Sequence, residues 1–217
     1  VGGVIFSKEK VFSLYENRIM IKYTLEDAHS ATTLRFRPFL AFRSVKSLTQ
    51  ANGNVNQSYT EVPNGIKTCM YHGYPELYMQ FNKKVKFVYE PYWYNGIEYP
   101  KEQERGYPYK EDLYVPGYFE IPIKKGESII FSAGDSPVAT TRLKSLYENE
   151  VNARTPRTSF FNCLKNSAQQ FYFRPKEDDA YLLAGYPWFK VRARDCLSSL
   201  LNSLIYCLWL FAMIYTP

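Results

Sequence analysis

Histidine and cysteine are scarce in this 217-residue chain. The only histidines are His29 and His72. The four cysteines, Cys69, Cys163, Cys196 and Cys207, form no C-x-x-C pair. Together these exclude a zinc signature. Sparse, scattered cysteines suit a reducing compartment, so the expected location is cytoplasmic. There is no G-x-S-x-G elbow, no Walker loop and no G-x-G-x-x-G run, which removes the common hydrolase, phosphate-loop and dinucleotide signatures. No cofactor and no metal is expected. Charge of one sign is not concentrated either. The 27 basic and 21 acidic residues are interleaved, giving a net charge of +6 without a Lys/Arg block, and that argues against a nucleic-acid partner. A signal peptide is not visible. The chain opens Val1-Gly-Gly-Val-Ile-Phe6, which reads like the middle of a β region, so the natural N-terminus is expected upstream. Internal repeats and low-complexity segments are missing too.

Aromatic side chains are plentiful: 18% of the chain, with 20 Tyr and 15 Phe. Rings of this kind favour strands. Tyr and Trp also suit surfaces that meet partly apolar ligands such as sugars, because each has a broad face and a polar handle. For most single rings the plain reading is core filling. The composition, 46% apolar and 22% charged, is that of a folded domain with a real core.

Residues 1–132 read as strands. Residues 18–25 form a mixed β-branched and aromatic run. Residues 33–40 alternate, with Leu34 and Phe36 on one face and Arg35 and Arg37 on the other. Residues 77–81 and 85–89 read as a pair joined through Asn82, Lys83 and Lys84. Residues 118–123 and 128–132 read as a hairpin about Gly126, with Pro122 on an edge or bulge. Residues 50–58 and 92–117 read as loops, the second long enough to suggest function. Many short strands with turn spacing predict a mainly β fold, an antiparallel β-sandwich.

From Ser136 the pattern becomes helical. Ser136 is the expected N-cap with Pro137 in the first turn, and Leu143, Leu146 and Tyr147 fall at i, i+3, i+4. A second helix is expected over residues 158–171, with Phe160, Phe161, Leu164, Ala168 and Phe171 as an ordinary core stripe. Residues 174–179 are a charged linker, and residues 181–195 are irregular and ring-dense. Residues 197–215 carry no charge.

Two segments hold the candidate binding groups. Ala184-Gly-Tyr-Pro-Trp-Phe-Lys-Val-Arg-Ala-Arg-Asp195 offers Trp188 for stacking on the C–H face of a sugar, with Arg194 and Asp195 for bidentate contacts to its hydroxyls. The alternative is an Arg194–Asp195 cap at a helix start with Trp188 buried. Residues 98–117 are rich in carboxylates and rings, as a glycan-facing loop would be. The alternative there is solvated charge.

Gly185-Tyr-Pro-Trp-Phe189 followed by Arg194-Asp195 resembles the entry motif of the bacterial and archaeal glycogen debranching enzymes of amylo-α-1,6-glucosidase type, with Ala193 where those usually carry Gly. Leu34-Arg-Phe-Arg-Pro-Phe-Leu-Ala-Phe-Arg43, Asn64-Gly-Ile-Lys67, Arg105-Gly-Tyr107 and Glu111-Asp-Leu-Tyr-Val-Pro-Gly117 match in the same order, so the resemblance spans residues 1–195. It implies a supersandwich-type N-terminal domain (1–135), a helical linker (136–180) and the start of a catalytic (α/α) toroid (181–217) that is largely absent. The implied reaction removes the α-1,6-linked glucose stub of branched glycogen with inversion. That needs an acid and a base roughly 6.5–9.5 Å apart, and the resemblance puts both beyond this chain. By position Arg194 and Asp195, with Trp188 beside them, bind the glucose at the cleavage subsite. Arg105, Glu111 and Asp112 lean over the pocket. The implied partner is glycogen or another branched α-glucan.

Two departures from the resemblance matter. An N-terminal stretch of sandwich is missing, which leaves an open sheet edge. After Asp195 the residues stop matching, and a frameshift or assembly end near residue 195 is the expectation.

Two rival readings stand beside this one. The 19 uncharged residues 197–215, preceded by Lys190, Arg192 and Arg194, have the length of a tail anchor. Ser198, Ser199, Asn202 and Ser203 bring the stretch nearer to a buried helix. The other rival is a non-catalytic carbohydrate-binding module, supported by the aromatic excess.

Overall fold

Alternation decides the first layer. In the computed structural model, which describes residues 3–44, 46–173, 181–185 and 189–191, residues 32–36 form a strand. Leu34 and Phe36 pack on the core while Arg35 and Arg37 face out. The chain divides into two compact units, Val1–Val151 and Asn152–Pro217.

In the first unit the strands are β1 (Ile5–Phe12), β2 (Arg18–Asp27), β3 (Thr32–Phe36), β4 (Tyr59–Val62), β5 (Gly65–Thr68), β6 (Leu77–Phe81), β7 (Lys86–Glu98), β8 (Lys110–Ile123) and β9 (Ser128–Gly134). They form two antiparallel sheets, one ordered β1-β2-β9-β6-β5-β4 and one ordered β3-β8-β7. The fold is mainly β, and the two sheets face each other as a sandwich. Leu25, Ile66, Met79, Phe81 and Ile129 of the first meet Phe119, Ile121 and Ile123 of β8. Each such fully buried side chain contributes about 1.5–3 kcal/mol of transfer free energy. Phe81 lies 5.1 Å from Phe119 and 5.5 Å from Phe36, ring to ring.

The two expected hairpins are not hairpins. β6 pairs with β5 and β9, whereas β7 pairs with β8. The turn at residues 82–84 therefore carries the chain from one sheet to the other. Lys83 secures this crossing by donating to Pro122 O at 2.6 Å and by pairing with Glu127. The turn after β8 forms as read, with Gly126 at φ 78° and the Glu127 N–H donating to Lys124 O at 3.0 Å. It too is an arch, because β9 pairs with β2 and β6. Pro122 pairs with Thr33 on one side and lies past the last β7 partner, Glu120. It thus occupies a local edge, where a missing N–H costs nothing.

Residues 92–117 are not a loop. β7 and β8 form one long hairpin whose tip carries α1 (Pro100–Glu104). Its register shifts between Tyr89 and Tyr92, and again between Tyr94 and Ile97. Each shift leaves one extra residue on β7, a β-bulge. The first puts Pro91 and Pro116 where the ladder needs no N–H, while Pro100 begins α1 and Pro108 lies between α1 and β8. Residues 50–58 are a loop as expected. Asn52 and Asn56 stiffen it by accepting from the Asn54 and Ser58 N–H groups, each at 3.1 Å.

The outer face of the larger sheet is covered by α2 (Leu143–Asn152), which follows a 3-10 turn at Thr140–Arg142. Leu143 and Tyr147 are buried against Val11, Met20 and Ile130, with Leu146 packed beside them, as the spacing predicts. Ser136 is not the N-cap. Its carbonyl and hydroxyl accept from the buried Arg18 guanidinium at 3.0 and 3.1 Å, so the helix starts later.

In the second unit, α3 (Phe160–Gln169) is capped by Ser159, whose hydroxyl accepts from the Asn162 N–H at 3.2 Å. Its predicted core stripe is exposed at Phe160, Phe161 and Leu164. The helix is held through the opposite, polar face, where Asn166 donates to Thr155 O at 2.8 Å and Gln169 accepts from the Thr155 hydroxyl at 3.3 Å. Residues 181–185 and 189–191 are not irregular. They are strands β11 (Tyr181–Gly185) and β12 (Phe189–Val191), joined with β10 (Tyr172–Phe173) in an antiparallel sheet. Among the described residues no helix is long and apolar enough to cross a membrane. The uncharged stretch 197–215 lies outside them.

Candidate functional site

The segment after β3 crosses the end of the β7–β8 hairpin. Leu40 joins Tyr114 as an isolated bridge, its N–H donating to Tyr114 O at 2.9 Å. Three residues on, the Arg43 guanidinium pairs with Glu111 through both carboxylate oxygens: Nε to Oε1, and Nη2 to Oε2 at 3.0 Å. Glu111 is fully buried. Its Oε1 also accepts from the Thr49 N–H at 3.0 Å, and its Oε2 from the Tyr99 hydroxyl at 2.6 Å. Burial pushes this carboxyl up, but the bonds from Arg43, Tyr99 and the Thr49 amide outweigh burial and hold it down at about 2. The same contact with Glu111 raises the Arg43 guanidinium and the Tyr99 phenol. The neighbouring carboxylate, Asp112, accepts from the backbone N–H of Ala51 at 2.9 Å and of Gly96 at 2.8 Å. Two adjacent acids on β8 therefore staple the segment 43–51 to the hairpin.

Over this clamp lies a cleft of about 620 Å³, lined by Ala41, Phe42, Arg43, Ser44, Tyr71 and Tyr74. A smaller hollow of about 170 Å³ adjoins it through Ala41 and Phe42 and reaches Phe39 and Pro75. Phe42 meets Tyr74 edge-on at 5.3 Å and Tyr71 at 6.0 Å. Phe39 meets Tyr94 edge-on at 5.1 Å. The turn carrying Tyr71 and Tyr74 is fixed by the Cys69 thiol, which donates toward Tyr71 O at 3.0 Å and Tyr74 O at 3.3 Å, and by Gly73 at φ 84°. His72 sits in this turn, as the sequence suggests. Cys69 is half-buried. The Asn52 amide donates to the Tyr71 hydroxyl at 3.1 Å.

The expected site residues are distributed as follows. Glu111 and Asp112 come together in the clamp. Arg105 lies at the exposed hairpin tip, bonded to Glu102 at 3.2 Å with its guanidinium 5.3 Å from the Tyr107 ring centroid. Trp188, Arg194 and Asp195 lie outside the described residues. Sequence reasoning missed Phe42, Arg43, Tyr71 and Tyr74 as a group. Arg43 closes the motif 34–43 and the tyrosines flank the turn at His72, but only the fold brings the two stretches together. Among the described residues no cluster of His, Cys, Asp or Glu is placed to hold a metal. The clamp carboxylates are each occupied by two or more donors, so neither is placed to act as a free acid or base.

The domain is an antiparallel β-sandwich with a ring-lined surface cleft braced by the Arg43–Glu111 ion pair. The model of the family described as glycogen debranching enzyme N terminal matches residues 1–130, and the chain belongs to that family. No curated protein and no solved structure matches the chain.

Proposed function

We propose that the chain is the substrate-side part of a glycogen debranching enzyme that hydrolyses α-1,6-linked glucose stubs of glycogen or a related branched α-glucan. The family match over residues 1–130 carries this reading. In it the whole protein is a cytoplasmic glycoside hydrolase of amylo-α-1,6-glucosidase type, and residues 1–195 do not supply its acid and base. This chain alone therefore hydrolyses nothing. Trp188, Arg194 and Asp195 bind the terminal glucose. Glu111 and Asp112 serve the substrate by bracing the segment 43–51, since their oxygens are occupied by the protein's own donors. Arg105 stands at the exposed hairpin tip, where it is engaged by Glu102 and Tyr107.

The test is glucose release from a branched limit dextrin by a chain extended at the DNA level through both ends, with Asp195→Ala alongside. Release by the extended chain, lost in the variant and absent from the 217-residue chain, supports the proposal. A folded but inactive extended chain would move the reading to a glycan-binding module, which the ring-lined cleft favours as the second possibility.

A further inference from the structure

Four large rings remain in the open around the cleft: Phe42 is 38% exposed, Tyr74 60%, Phe39 45% and Tyr94 48%. The sandwich core does not need them, because it closes over Phe81, Phe119 and the aliphatic side chains of the two sheets. Phe42 joins the two hollows, and Phe39 extends the track toward Tyr94. The larger hollow, about 620 Å³ and open to one side, falls within the volume range of drug-sized ligand sites, with room for more than one pyranose ring.

The charge of the site selects the ligand. Among the described residues Arg43 is the only ionised group on the wall of the larger hollow, and its charge is taken up by the buried Glu111. Among the described residues a phosphate or an acidic peptide would find no free countercharge there. An uncharged polyhydroxyl chain would find flat rings for its C–H faces. The Arg43 N–H groups not used by Glu111 and Ser44 O would meet its hydroxyls. The walls are set in advance by the Glu111 clamp and the Cys69-fixed turn, which cuts the ordering cost of binding.

We propose that this groove binds a linear α-1,4-linked arm of the glucan, several glucose units long, through Phe39, Phe42, Arg43 and Tyr74, residues other than those assigned to the terminal glucose. The proposal rests on the debranching reading and deepens it: a single-glucose stub cannot fill the groove, but the arm that bears the stub can.

The test is calorimetric titration of the 217-residue chain with maltoheptaose, with cellohexaose as a control of opposite linkage geometry. Maltoheptaose is expected to bind and cellohexaose not. Phe42→Ala and Tyr74→Ala should each weaken binding about tenfold, while Tyr74→Phe keeps it. Thermal unfolding verifies that the variants are folded. If one is not, chemical-shift changes in the unaltered chain decide: changes confined to residues 39–44, 71–74 and 94 support the groove, and changes elsewhere overturn it. Equal affinity in folded Phe42→Ala and Tyr74→Ala also overturns it. If the extended chain still releases glucose in that case, the debranching reading survives without the groove. No maltoheptaose binding together with no glucose release sinks both.

Discussion

Replacing Glu111 with Gln keeps the side chain's shape and removes its charge. Both carboxylate oxygens accept two donors, Oε1 from Arg43 Nε and the Thr49 N–H, Oε2 from Arg43 Nη2 and the Tyr99 hydroxyl. A Gln amide must turn its NH₂ toward one of these pairs, so in either orientation donors face donors. The cost follows from the proton equilibrium. A carboxyl held at about 2 instead of its ordinary 4.5 prefers its charged form in the fold by about 3 kcal/mol. Breaking a buried pair by removing one partner costs a similar amount, about 3–5 kcal/mol. The expected loss is about 3 kcal/mol at pH 7, or a melting temperature lowered by roughly 6–12 °C for a unit of this size. The folded carboxyl titrates below the unfolded one. Its contribution is therefore complete above about pH 5.5 and drains away as pH falls from about 4.5 toward 2. Urea unfolding of the parent chain and Glu111→Gln, followed by circular dichroism between pH 7 and pH 2.5, reads both effects. The gap between the two proteins should be widest at neutral pH and narrow steadily toward acid. A variant within 0.5 kcal/mol of the parent at pH 7 would refute the clamp, as would a gap indifferent to pH.

Two further outcomes test the scaffold. Gly117, at φ 146°, has space for no Cβ: the added carbon would lie 2.2 Å from Val88 O and 3.0 Å from the Glu90 N. Gly117→Ala should therefore cost about 3 kcal/mol or more, seen as a lower urea midpoint, whereas Gly53→Ala, with open space around it, should change little. Leu143 is fully buried between α2 and the larger sheet. Leu143→Ala should cost about 2–5 kcal/mol and lower the thermal midpoint of the first unit.

The limits of reading this fold from sequence lie in pairing, not in elements. The strand at residues 77–81 was visible to the residue, and the alternation of Leu34, Arg35, Phe36 and Arg37 correctly separated the core face from the solvent face. The stripe Leu143, Leu146, Tyr147 packs as its spacing requires. What a local pattern cannot distinguish is a hairpin from an arch. A short polar turn such as Lys124-Lys125-Gly126-Glu127 bends the chain equally well whether the next strand returns beside the last or crosses to the other sheet. The choice is made by partners far away, here β2 and β6 for β9. The 92–117 stretch was misleading for a related reason. Pro100 and Pro108 belong to the hairpin tip, whereas Pro116 fits a strand only because a bulge opposite it spares its N–H, and a bulge is defined by the partner strand's register.

The site was hidden by the same distance. Glu111 and Asp112 stand out in the sequence as charged residues in a ring-rich segment, which reads as a surface reaching for ligand. Their partners Arg43 and Thr49 lie 68 and 62 residues from Glu111, so nothing local shows that these acids face inward. Folding inverts their apparent role. The carboxylates are withdrawn to hold the backbone, and it is Phe42, Tyr71 and Tyr74, rings whose composition alone read as core, that line the open cleft. The Arg43–Glu111 pair lies beneath an open aromatic cleft. Here the pair fixes the segment that carries Phe42, so a glucan arm would meet a surface already in shape and spend little of its binding free energy on ordering it.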